Sequence, residues 1–383
     1  MRSAGGDVNG GRRILIVGGG IAGLATARML VRIGLSPEVI EREPVWRPAG
    51  TGIYLPGNAT RALRALGVEA QLASRAVEIP RQRFCDHRGR LLCEVDVAKL
   101  WAGVGPCLAL GRAALHELLL DAAGDVPIRL GLSVEQLIQR HGIVSVKFSD
   151  GTHGEYDLVV AADGIDSAVR RLSFGPTAVP QPVGQIGWRF VTPQCPEVTT
   201  WSVMLGRRTA FLTLPIADDR VYGYCDEISP EDFDSAEQSL ADRMRQLFSE
   251  FAEPASTLLN TLDAATDTHV STIEEVTLDA WVREHVVLIG DAAHATSPNM
   301  AQGAAMALED ALVLADCLRD IRAIPEALTA FETRRRPRTD WVLAQTHRRD
   351  RTRYLPPAVR NNVLRLSGRR IVHANYRPLL DQP

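Results

Sequence analysis

Three glycines near the start of the chain have the spacing of a dinucleotide-binding turn. Gly18, Gly20 and Gly23 follow a short apolar run and open a helical pattern. The first glycine allows a tight turn, the second lets the backbone approach a pyrophosphate, and the third allows close packing of helix against strand. Glu41 lies 23 positions after Gly18, where a carboxylate can accept hydrogen bonds from both ribose hydroxyls. We therefore predict dinucleotide binding, although this fingerprint alone does not separate FAD from NAD.

Two acidic turns further along the chain have the chemistry to hold other parts of such a ligand. Asp163-Gly164 follows the apolar run 158–162, and Gly290-Asp291 follows the apolar run 286–289. Each turn alone is typical of a simple strand-to-helix turn or helix cap. Their order after the glycine motif and their separation of 128 positions are part of the pattern on which the family resemblance below depends. For Asp163, a purely structural role stays an open alternative.

The hydrophobic pattern around these motifs predicts the elements that position them. An apolar run, the glycine turn, a helical pattern and a second apolar run form a βαβ unit. From about residue 176 to 272, Pro and Gly become frequent and short alternating runs predict an antiparallel sheet. An apolar strand and a long helical pattern then follow. The predicted strands are 13–17, 38–41, 144–148, 156–161, 201–205, 210–214, 220–226 and 286–289, and the predicted helices are 21–33, 112–122 and 304–318.

Taken together, the three motifs and their spacing resemble those of the class A, single-component FAD-dependent aromatic hydroxylases, the p-hydroxybenzoate hydroxylase family. The resemblance covers nearly all of residues 12–350. The chain length and the run 296–303 are similar to those of small bacterial members such as urate hydroxylase and tetracycline-modifying enzymes. The implied fold class is α/β, with a Rossmann-like FAD-binding domain, an inserted antiparallel β-sheet substrate domain and C-terminal helices.

The same resemblance implies a division of the chain into discontinuous domains. Residues 12–75, 101–177 and 278–345 would form the FAD-binding domain, and residues 76–100 and 178–277 the substrate-binding sheet. Residues 346–383 would form a C-terminal helical segment. The Gly-rich residues 1–11 are expected to be a disordered leader.

Roles for individual cofactor-binding residues also follow from the resemblance. The glycines would hold the FAD pyrophosphate, Arg112 would reach the FAD linker, and Asp163 would mark a motif shared with the nicotinamide cofactor. Asp291 would hold a ribityl hydroxyl, and the segment after Pro298 would aim a helix N-terminus at the flavin, where the helix dipole stabilises an anion. The predicted cofactor-binding residues are Gly18, Gly20, Ala22, Gly23, Glu41, Arg42, Arg112, Val134, Asp163, Asp291, Pro298, Gly303 and Ala304.

The activity that the resemblance implies is hydroxylation by flavin and oxygen. NADPH or NADH would reduce FAD, and reduced FAD with O2 would form a C4a-hydroperoxide that attacks an aromatic or electron-rich heterocyclic small molecule. The flavin carries this chemistry, so no side chain is assigned as catalytic and no metal is expected. The sequence holds no second Gly-x-Gly-x-x-Gly, which favours transient nicotinamide binding. A halogenase-like or reductase flavoprotein and an inactive FAD- or substrate-binding protein stay open as alternatives.

Substrate-binding residues are expected on the strands of the inserted sheet. A phenolic or enolic substrate needs groups that favour its anion, so arginines and tyrosines on strands are the candidates. Tyr222 and Arg208 match by position residues of urate-oxidising relatives, but the match of Arg208 requires a two-residue insertion. The predicted substrate residues are Arg189, Arg208, Tyr222, Tyr224 and Asn299.

Composition limits the partners of the chain. Its 383 residues carry a formal net charge of −3, which argues against nucleic acid or an anionic membrane as the main partner. No apolar run approaches the ~18 residues that span a bilayer. Six scattered cysteines without a Cys-x-x-Cys pair are typical of reduced cytosolic thiols. We expect a cytoplasmic monomer or homodimer whose partners are the aromatic substrate, O2 and NAD(P)H.

Arginine is distributed unevenly. The chain has 41 Arg and only two Lys, and the segment from Glu332 to Arg370 holds twelve Arg against three acidic residues. A phosphate-binding tail and a set of packed helices with a solvated arginine face are both compatible with this segment. Interleaved apolar residues such as Trp341, Val359 and Val363 favour packing and solvated surface.

Overall fold

The computed structural model describes residues 11–46, 51–228, 240–262 and 268–383. Its helices are α1 (Ile21–Arg32), α2 (Gly57–Leu66), α3 (Glu69–Ala73), α4 (Val97–Leu100), α5 (Arg112–Ala123), α6 (Ala168–Phe174), α7 (Leu240–Leu247), α8 (Ala255–Thr261), α9 (Asp291–His294), α10 (Gly303–Asp320), α11 (Ile324–Arg353) and α12 (Pro357–Tyr376). Short 3-10 turns lie at Pro298–Met300 and Arg377–Leu379.

Strands make up the rest of the regular structure. They are β1 (Arg13–Val17), β2 (Ser36–Glu41), β3 (Gly52–Leu55), β4 (Val77–Glu78), β5 (Arg81–Asp86), β6 (Leu91–Asp96), β7 (Leu108–Gly111), β8 (Ile128–Leu130), β9 (Val134–Arg140), β10 (Ile143–Phe148), β11 (His153–Tyr156), β12 (Leu158–Ala161), β13 (Gln181–Pro193), β14 (Trp201–Leu205), β15 (Thr209–Ile216), β16 (Arg220–Ile228), β17 (His269–Glu275), β18 (Val282–Arg283) and β19 (Val286–Leu288).

A six-stranded sheet in the order β18-β19-β12-β1-β2-β8 forms the centre of the first domain. The pairs from β19 to β8 are parallel, and only β18 at the edge is antiparallel. β1 and β12 are buried almost throughout because helices cover the sheet, which explains their near-continuous apolar sequences. On this domain, helix α1 packs against both α5 and α10.

The second domain is a seven-stranded sheet in the order β17-β13-β16-β15-β14-β5-β6. It is antiparallel except where β14 pairs with β5 in parallel, which joins the two separate chain segments of this sheet. Side chains alternate along β16. Tyr222 and Tyr224 lie on the face toward the first domain, whereas Val221 and Cys225 pack with α7 and α8. The sheet therefore offers one face to the cofactor domain and buries the other.

Long helices close the C-terminal part of the molecule. α11 packs against α10, and α12 packs against the edge strand β6. A Cβ atom at Gly368 of α12 would lie 2.7 Å from the Cys93 sulfur, so α12 and β6 are in close contact. The boundary predicted between residues 345 and 346 falls inside α11.

The predicted elements agree with the structure at most positions. The predicted strands 13–17 and 201–205 have the bounds of β1 and β14. The prediction of one strand over 156–161 is wrong. Residues up to Tyr156 belong to β11, which pairs with β10, and Leu158 begins β12, which pairs with β1 in another sheet. The predicted leader 1–11 lies outside the described residues except for Gly11.

The C-terminal arginines also differ from expectation. Arg335, Arg353 and Arg360 are buried, so the prediction of a mainly solvated arginine face is wrong for these three. Arg360 donates hydrogen bonds to the carbonyl oxygens of Leu205 and Gly206 at the end of β14. Val359 and Val363, which were expected from the sequence to pack, are exposed, whereas these three guanidinium groups lie inside, where buried acceptors bind them.

Candidate active site

The three motifs meet at the carboxyl ends of β1, β12 and β19. A Cβ atom at Gly18 would lie 2.3 Å from the Ala162 carbonyl oxygen and 3.0 Å from the Asp163 Cα. A Cβ atom at Gly290 would lie 3.0 Å from the Ala22 Cβ. The turns after three neighbouring parallel strands are therefore in direct contact, at the edge where open α/β sheets bind their ligands.

The glycines of the first motif serve different purposes. Gly18 has a φ of +105°, which favours glycine, and a Cβ at Gly23 would lie 1.9 Å from the Gly18 carbonyl oxygen. A Cβ at Gly20 would meet no heavy atom of the described residues within 4 Å. Gly20 is the N-cap of α1, and no side chain of the described chain caps this helix. Gly20 thus leaves room for an anion at a helix N-terminus.

Glu41 holds the glycine turn at the end of β2. Its Oε2 accepts a hydrogen bond from the Gly19 amide at 2.8 Å, and its Oε1 accepts one from the Glu43 amide at 3.0 Å. An ionised carboxylate has about four acceptor positions, so two stay available for the predicted ribose contacts. Arg42 beside it is exposed and lies 3.9 Å from a Glu43 carboxylate oxygen.

Two aromatic side chains at this turn were missed in the sequence. His116 of α5 makes a 2.9 Å hydrogen bond through Nε2 with the Gly19 carbonyl oxygen. The ring centroids of Trp46 and His116 lie 4.8 Å apart, and a Cβ at Gly19 would touch the Trp46 ring at 2.5 Å. Neither residue belongs to a motif, and only the folded structure brings His116 of α5 and Trp46, which follows β2, to this turn.

Asp163 carries an unsatisfied carboxylate oxygen at the same edge. Its Oδ2 accepts a hydrogen bond from the Val169 amide at 3.1 Å, while its Oδ1 is buried and lacks a hydrogen-bond partner among the described residues. Burial raises the pKa of this carboxyl group. Both the structural and the cofactor-binding role predicted for Asp163 are compatible with this geometry, because Oδ2 fixes the turn and Oδ1 can bind a ligand.

Arg170 ties two of the turns together. This residue is fully buried, and it donates hydrogen bonds to the carbonyl oxygens of Ile165 and Ala178 and, at 3.1 Å, of Ala292. The Asp163 turn and the Asp291 turn are thus held by one guanidinium. The sequence around Arg170 did not predict its contact with Ala292, which lies 122 positions away.

Asp291 lies beside the start of α10. A Cβ at Gly303, the first residue of α10, would lie 3.8 Å from an Asp291 carboxylate oxygen. Within the described part of the chain, no side chain caps α10, and Pro298 begins the 3-10 turn that leads to it. Asp291 is exposed and Ala304 half-buried. A second helix N-terminus therefore faces the site, as the sequence predicted near Ala304.

A buried acid–arginine network supports this second turn. Asp310 Oδ2 accepts hydrogen bonds from the Gly290 amide at 2.9 Å and from His294 Nε2 at 2.7 Å, and its Oδ1 accepts one from Arg335 Nε at 2.8 Å. Burial alone would raise the pKa of Asp310, but His294 and Arg335 lower it below its ordinary value. His294 is thus a supporting residue of the turn.

Glu309 extends the network to the loop before α10. It pairs with Arg335 at 2.9 Å and with Arg338 at 2.7 Å. Asn58 Nδ2 donates to Glu309 at 3.1 Å and to the Gln302 side chain at 2.9 Å, which fixes the N-cap of α10. Local sequence patterns could not have predicted these partners of Glu309 and Asp310, because they lie in α2 and α11.

Predicted substrate residues gather on one face of the seven-stranded sheet. Tyr222 is buried against Gly52, and burial raises its pKa while Arg189 and Arg112 act to lower it. The Arg189 guanidinium lies 5.3 Å from the Tyr224 ring centroid and donates to the Ser271 hydroxyl at 3.0 Å. The structure thereby brings Arg189, Tyr222 and Tyr224 together with the predicted cofactor residue Arg112.

Two other predicted residues are placed differently. Arg208 is exposed in the β14–β15 turn, and its carbonyl oxygen accepts from the Ile228 amide, whereas Leu214 opposes Tyr222. The structure therefore does not bring Arg208 next to Tyr222. Asn299 donates hydrogen bonds to Asp350 and, at 3.1 Å, to Ser297. Asp350 of α11 thus fastens the segment that leads into α10.

The remaining observations concern the rim of the site. Val134 is buried in the core at the start of β9, two residues after Leu132, whose amide donates to the Glu41 carbonyl oxygen.

Among the residues that the structure describes, no group of three or more His, Cys, Asp or Glu side chains has the arrangement to hold a metal ion. No described helix is long and apolar enough to span a membrane.

The fold and these turns define a flavin-type dinucleotide-binding protein with an added β-sheet domain. An open glycine, two uncapped helix N-termini and the free Asp163 oxygen fit a dinucleotide such as FAD. The chain matches the family described as the FAD binding domain over residues 12–346, and it belongs to that family.

Relatives and solved structures extend this assignment. The chain is 35% identical to 2-heptyl-3-hydroxy-4(1H)-quinolone synthase of Pseudomonas aeruginosa, with 87% of each chain covered. It is 28% identical to FAD-dependent urate hydroxylase of Mycolicibacterium vanbaalenii, with 91% of this chain and 90% of that protein covered. The structure of HpxO from Klebsiella pneumoniae with FAD and uric acid matches with a TM-score of 0.89 and 26% identity, covering 97% of each chain.

These comparisons confirm three predictions from the sequence. The resemblance to FAD-dependent aromatic hydroxylases, the α/β fold with its inserted sheet and FAD as the cofactor are all confirmed. The roles of individual residues stay predictions, and the structure adds the positions from which they would act.

Proposed function

We propose that this protein is an FAD-dependent monooxygenase that uses NAD(P)H and O2 to hydroxylate an aromatic or electron-rich heterocyclic small molecule. One observation carries the proposal. The turns that fit FAD and the sheet face with Arg189, Tyr222 and Tyr224 adjoin, since the Arg112 amide donates to the Thr51 carbonyl oxygen at 2.8 Å and the next residue, Gly52, packs against the Tyr222 ring. A substrate on that sheet face would lie next to the cofactor.

Bound FAD would supply the redox and oxygen chemistry, and the protein residues would position and shield it. Gly18, Gly20 and the start of α1 would hold the pyrophosphate, and Asp291 the ribityl chain. The start of α10 would face the flavin, where its dipole favours negative charge. The buried sheet face excludes water from the reacting groups, which protects reactive oxygen chemistry from side reactions.

The proposed substrate is a planar ring that carries an acidic hydroxyl or amide group. Arg189 and Arg112 are two positive groups near the Tyr222 hydroxyl, and together they favour an anion at this position. Leu212, Leu214 and Met300 belong to the same apolar cluster as the tyrosines, which suits the faces of an aromatic ring. The quinolone of one relative and the uric acid of one solved neighbour have this chemistry.

Reduction would come from a nicotinamide cofactor that binds transiently. The Asp163 turn, with its free buried oxygen, is the group we propose to serve both FAD and the nicotinamide. The proposed setting is the cytoplasm, with a monomer or homodimer as the active species.

A stimulated oxidation assay tests the proposal. Purified holoenzyme is mixed with NADPH or NADH under air, and planar phenols, hydroxyquinolones and oxopurines are screened for faster NAD(P)H oxidation. The product should gain 16 mass units, and 18 units under ¹⁸O2. Arg189→Gln should raise the KM for the acidic substrate more than tenfold with FAD content unchanged, because it removes only a substrate charge.

Three results would contradict the proposal in distinguishable ways. A preparation that neither contains FAD nor takes it up would remove the cofactor role. Product formation without O2 would remove the monooxygenase role and favour a reductase. Halogenated product in the presence of halide would favour the halogenase alternative.

A further inference from the structure

Helix α12 presents apolar side chains to solvent. Half of the twelve large apolar side chains that are exposed in the described residues lie between positions 354 and 371. Leu366 is the most exposed of them at 85%, and Val359 and Val363 are 50% and 41% exposed. Clusters of this kind on a protein surface mark a contact with another surface.

Helix α12 differs from an ordinary surface helix, because apolar residues lie on its outward side as well as on its inward side, where Val372 and Tyr376 are buried. Arg360 and Asn375 are buried on the side that faces the protein, whereas Val359, Val363 and Leu366 point outward. These apolar residues and Arg370 are spaced by four, three and four positions, so they share one side of the helix. The inward face is anchored, because Arg360 binds the Gly206 carbonyl oxygen and Gly368 packs on Cys93. The outward face therefore belongs to the folded state of α12.

Charge identifies the kind of surface that would cover this face. Residues 351–376 contain six arginines and no Asp or Glu. Two of these arginines, Arg353 and Arg360, are buried, and the others are exposed. The exposed ones are Arg351, Arg365, Arg369 and Arg370. An apolar strip whose own chain segment carries only positive charges is complementary to an apolar surface that carries negative charges.

We propose that the outward face of α12 binds an anionic phospholipid surface. Leu366, Val359 and Val363 would enter the boundary between headgroups and acyl chains, and the arginines would bind lipid phosphates. The same face on a second copy of the chain would bring arginines opposite arginines, which opposes a symmetric dimer through α12. The net charge of the whole chain is near zero and therefore predicted no membrane partner. That average conceals the local positive charge of α12.

Vesicle sedimentation tests the proposal with the holoenzyme. The protein, followed by flavin absorbance, is mixed with vesicles of phosphatidylcholine alone or with one third phosphatidylglycerol. We expect binding to the anionic vesicles only, weakening steeply as salt increases. Leu366→Ser should reduce the bound-to-free ratio about tenfold, because a buried Leu side chain is lost from the interface. Arg370→Glu should reduce this ratio by a similar factor.

The matched control substitutions are in β9. This strand belongs to a different sheet from β6, the strand that contacts α12. Ile138 is 50% exposed and Arg140 is exposed, so Ile138→Ser and Arg140→Glu make the same chemical changes elsewhere on the surface. Both should bind anionic vesicles like the wild type. All four variants should keep wild-type NAD(P)H oxidation without vesicles, because none of these residues lies in the proposed active site.

Several outcomes would overturn the proposal. Equal sedimentation with neutral and anionic vesicles, or none with either, would remove the lipid surface. Unchanged binding by Leu366→Ser would show that another surface binds. A dimer in light scattering that Leu366→Ser dissociates, without any vesicle binding, would assign the face to a second copy.

Discussion

Gly20 and Gly23 lie three residues apart in one motif, but the lack of a side chain has a different reason at each position. Gly23 packs against the Gly18 carbonyl oxygen, where a Cβ would lie at 1.9 Å, so its role is structural. Gly20 faces open space at the start of α1, so its role concerns the ligand. The same residue type therefore supports the fold in one place and the site in the other.

This difference predicts separate effects of two alanine substitutions. Gly23→Ala should destabilise the protein by about 3 kcal/mol or more, because backbone must move to admit the methyl group. Gly20→Ala should cost less than about 1 kcal/mol, since its φ of −80° suits alanine, yet should weaken FAD binding at least about tenfold. Thermal unfolding of apoprotein and FAD titration measure the two effects. Equal loss of stability in both variants would contradict this division.

Asp310 gives a second prediction at the residue scale. Asp310→Asn would leave the fully buried Arg335 without one of its two carboxylate partners and should destabilise the protein by about 3–5 kcal/mol at pH 7. Because the pKa of Asp310 is lowered in the folded state, its stabilisation is present above the unfolded pKa and is lost as the pH falls through the folded pKa. Urea unfolding at pH 7 and at a series of pH values below 3.8, the ordinary pKa of an aspartate, measures both effects.

The control for Asp310 lies on the same helix. Asp316 pairs with Arg319 at 2.9 Å, but both side chains are substantially exposed. Asp316→Asn should therefore cost less than about 1 kcal/mol. A similar cost for both variants would show that burial of the Asp310 network adds nothing to stability.

At the scale of elements, α11 acts as a support for the segment that enters α10. Asp350 accepts hydrogen bonds from Ser297 at 3.3 Å and from Asn299, and the hydroxyl of Tyr376 in α12 donates to the Met300 carbonyl oxygen at 3.2 Å. The segment before the proposed flavin-facing helix is thus fixed by two helices that are distant in sequence. Its position depends on how α11 and α12 pack.

Asp350 makes this support dependent on pH. Burial raises the pKa of Asp350, so the folded protein binds this proton more tightly than the unfolded chain does. The resulting stabilisation is present below the unfolded pKa and is lost as the pH rises through the folded pKa. The melting temperature of Asp350→Asn relative to wild type should therefore rise between pH 4 and pH 8. Glu326→Gln at the exposed start of α11 is the control, and the same trend in both variants would contradict the assignment.

The sequence predicted those elements whose signal is local. The glycine turn, β1, α1 and the start of α10 follow from periodicity and motif, because strand, turn and helix are adjacent in the chain. The break between β11 and β12 was missed, because which sheet a strand joins depends on partners far away. The contacts of Arg170, Arg335 and Asp350 escaped prediction for the same reason, since each spans 25 residues or more.

At the scale of the whole molecule, the last residues reach the centre of the first domain. Arg61 donates to the carbonyl oxygens of Leu380 and Asp381, and Arg338 donates to those of Pro378 and Leu379. Both arginines also face Glu309, at 3.6 Å and 2.7 Å. The last residues therefore hold two of the three arginines that face this buried carboxylate, and Arg335 is the third.

Deletion of residues 377–383 tests this long-range support. Arg61 and Arg338 would lose their carbonyl acceptors, so the melting temperature should fall by a few degrees, since a chain of this length loses at most about 2–4 °C per kcal/mol. FAD should also dissociate faster, because Glu309 fixes Asn58 and the start of α10. Deletion of residues 382–383 removes only the exposed contact of Arg334 and should leave both measurements unchanged. Wild-type behaviour of the longer deletion would rule out the support.

The parallel pairing of β14 with β5 has a consequence for the order of folding during synthesis. The hairpin of β5 and β6 leaves the ribosome more than 100 residues before β14, its partner in the sheet. The central sheet is completed later still. β1 pairs with β12, but β19, the other neighbour of β12, is synthesised only after the whole inserted sheet. Two unfinished sheet edges are thus exposed on the nascent chain at the same time, and unpaired edges promote aggregation. Expression at low temperature or with added chaperones should raise the soluble yield of this protein more than any change to its surface.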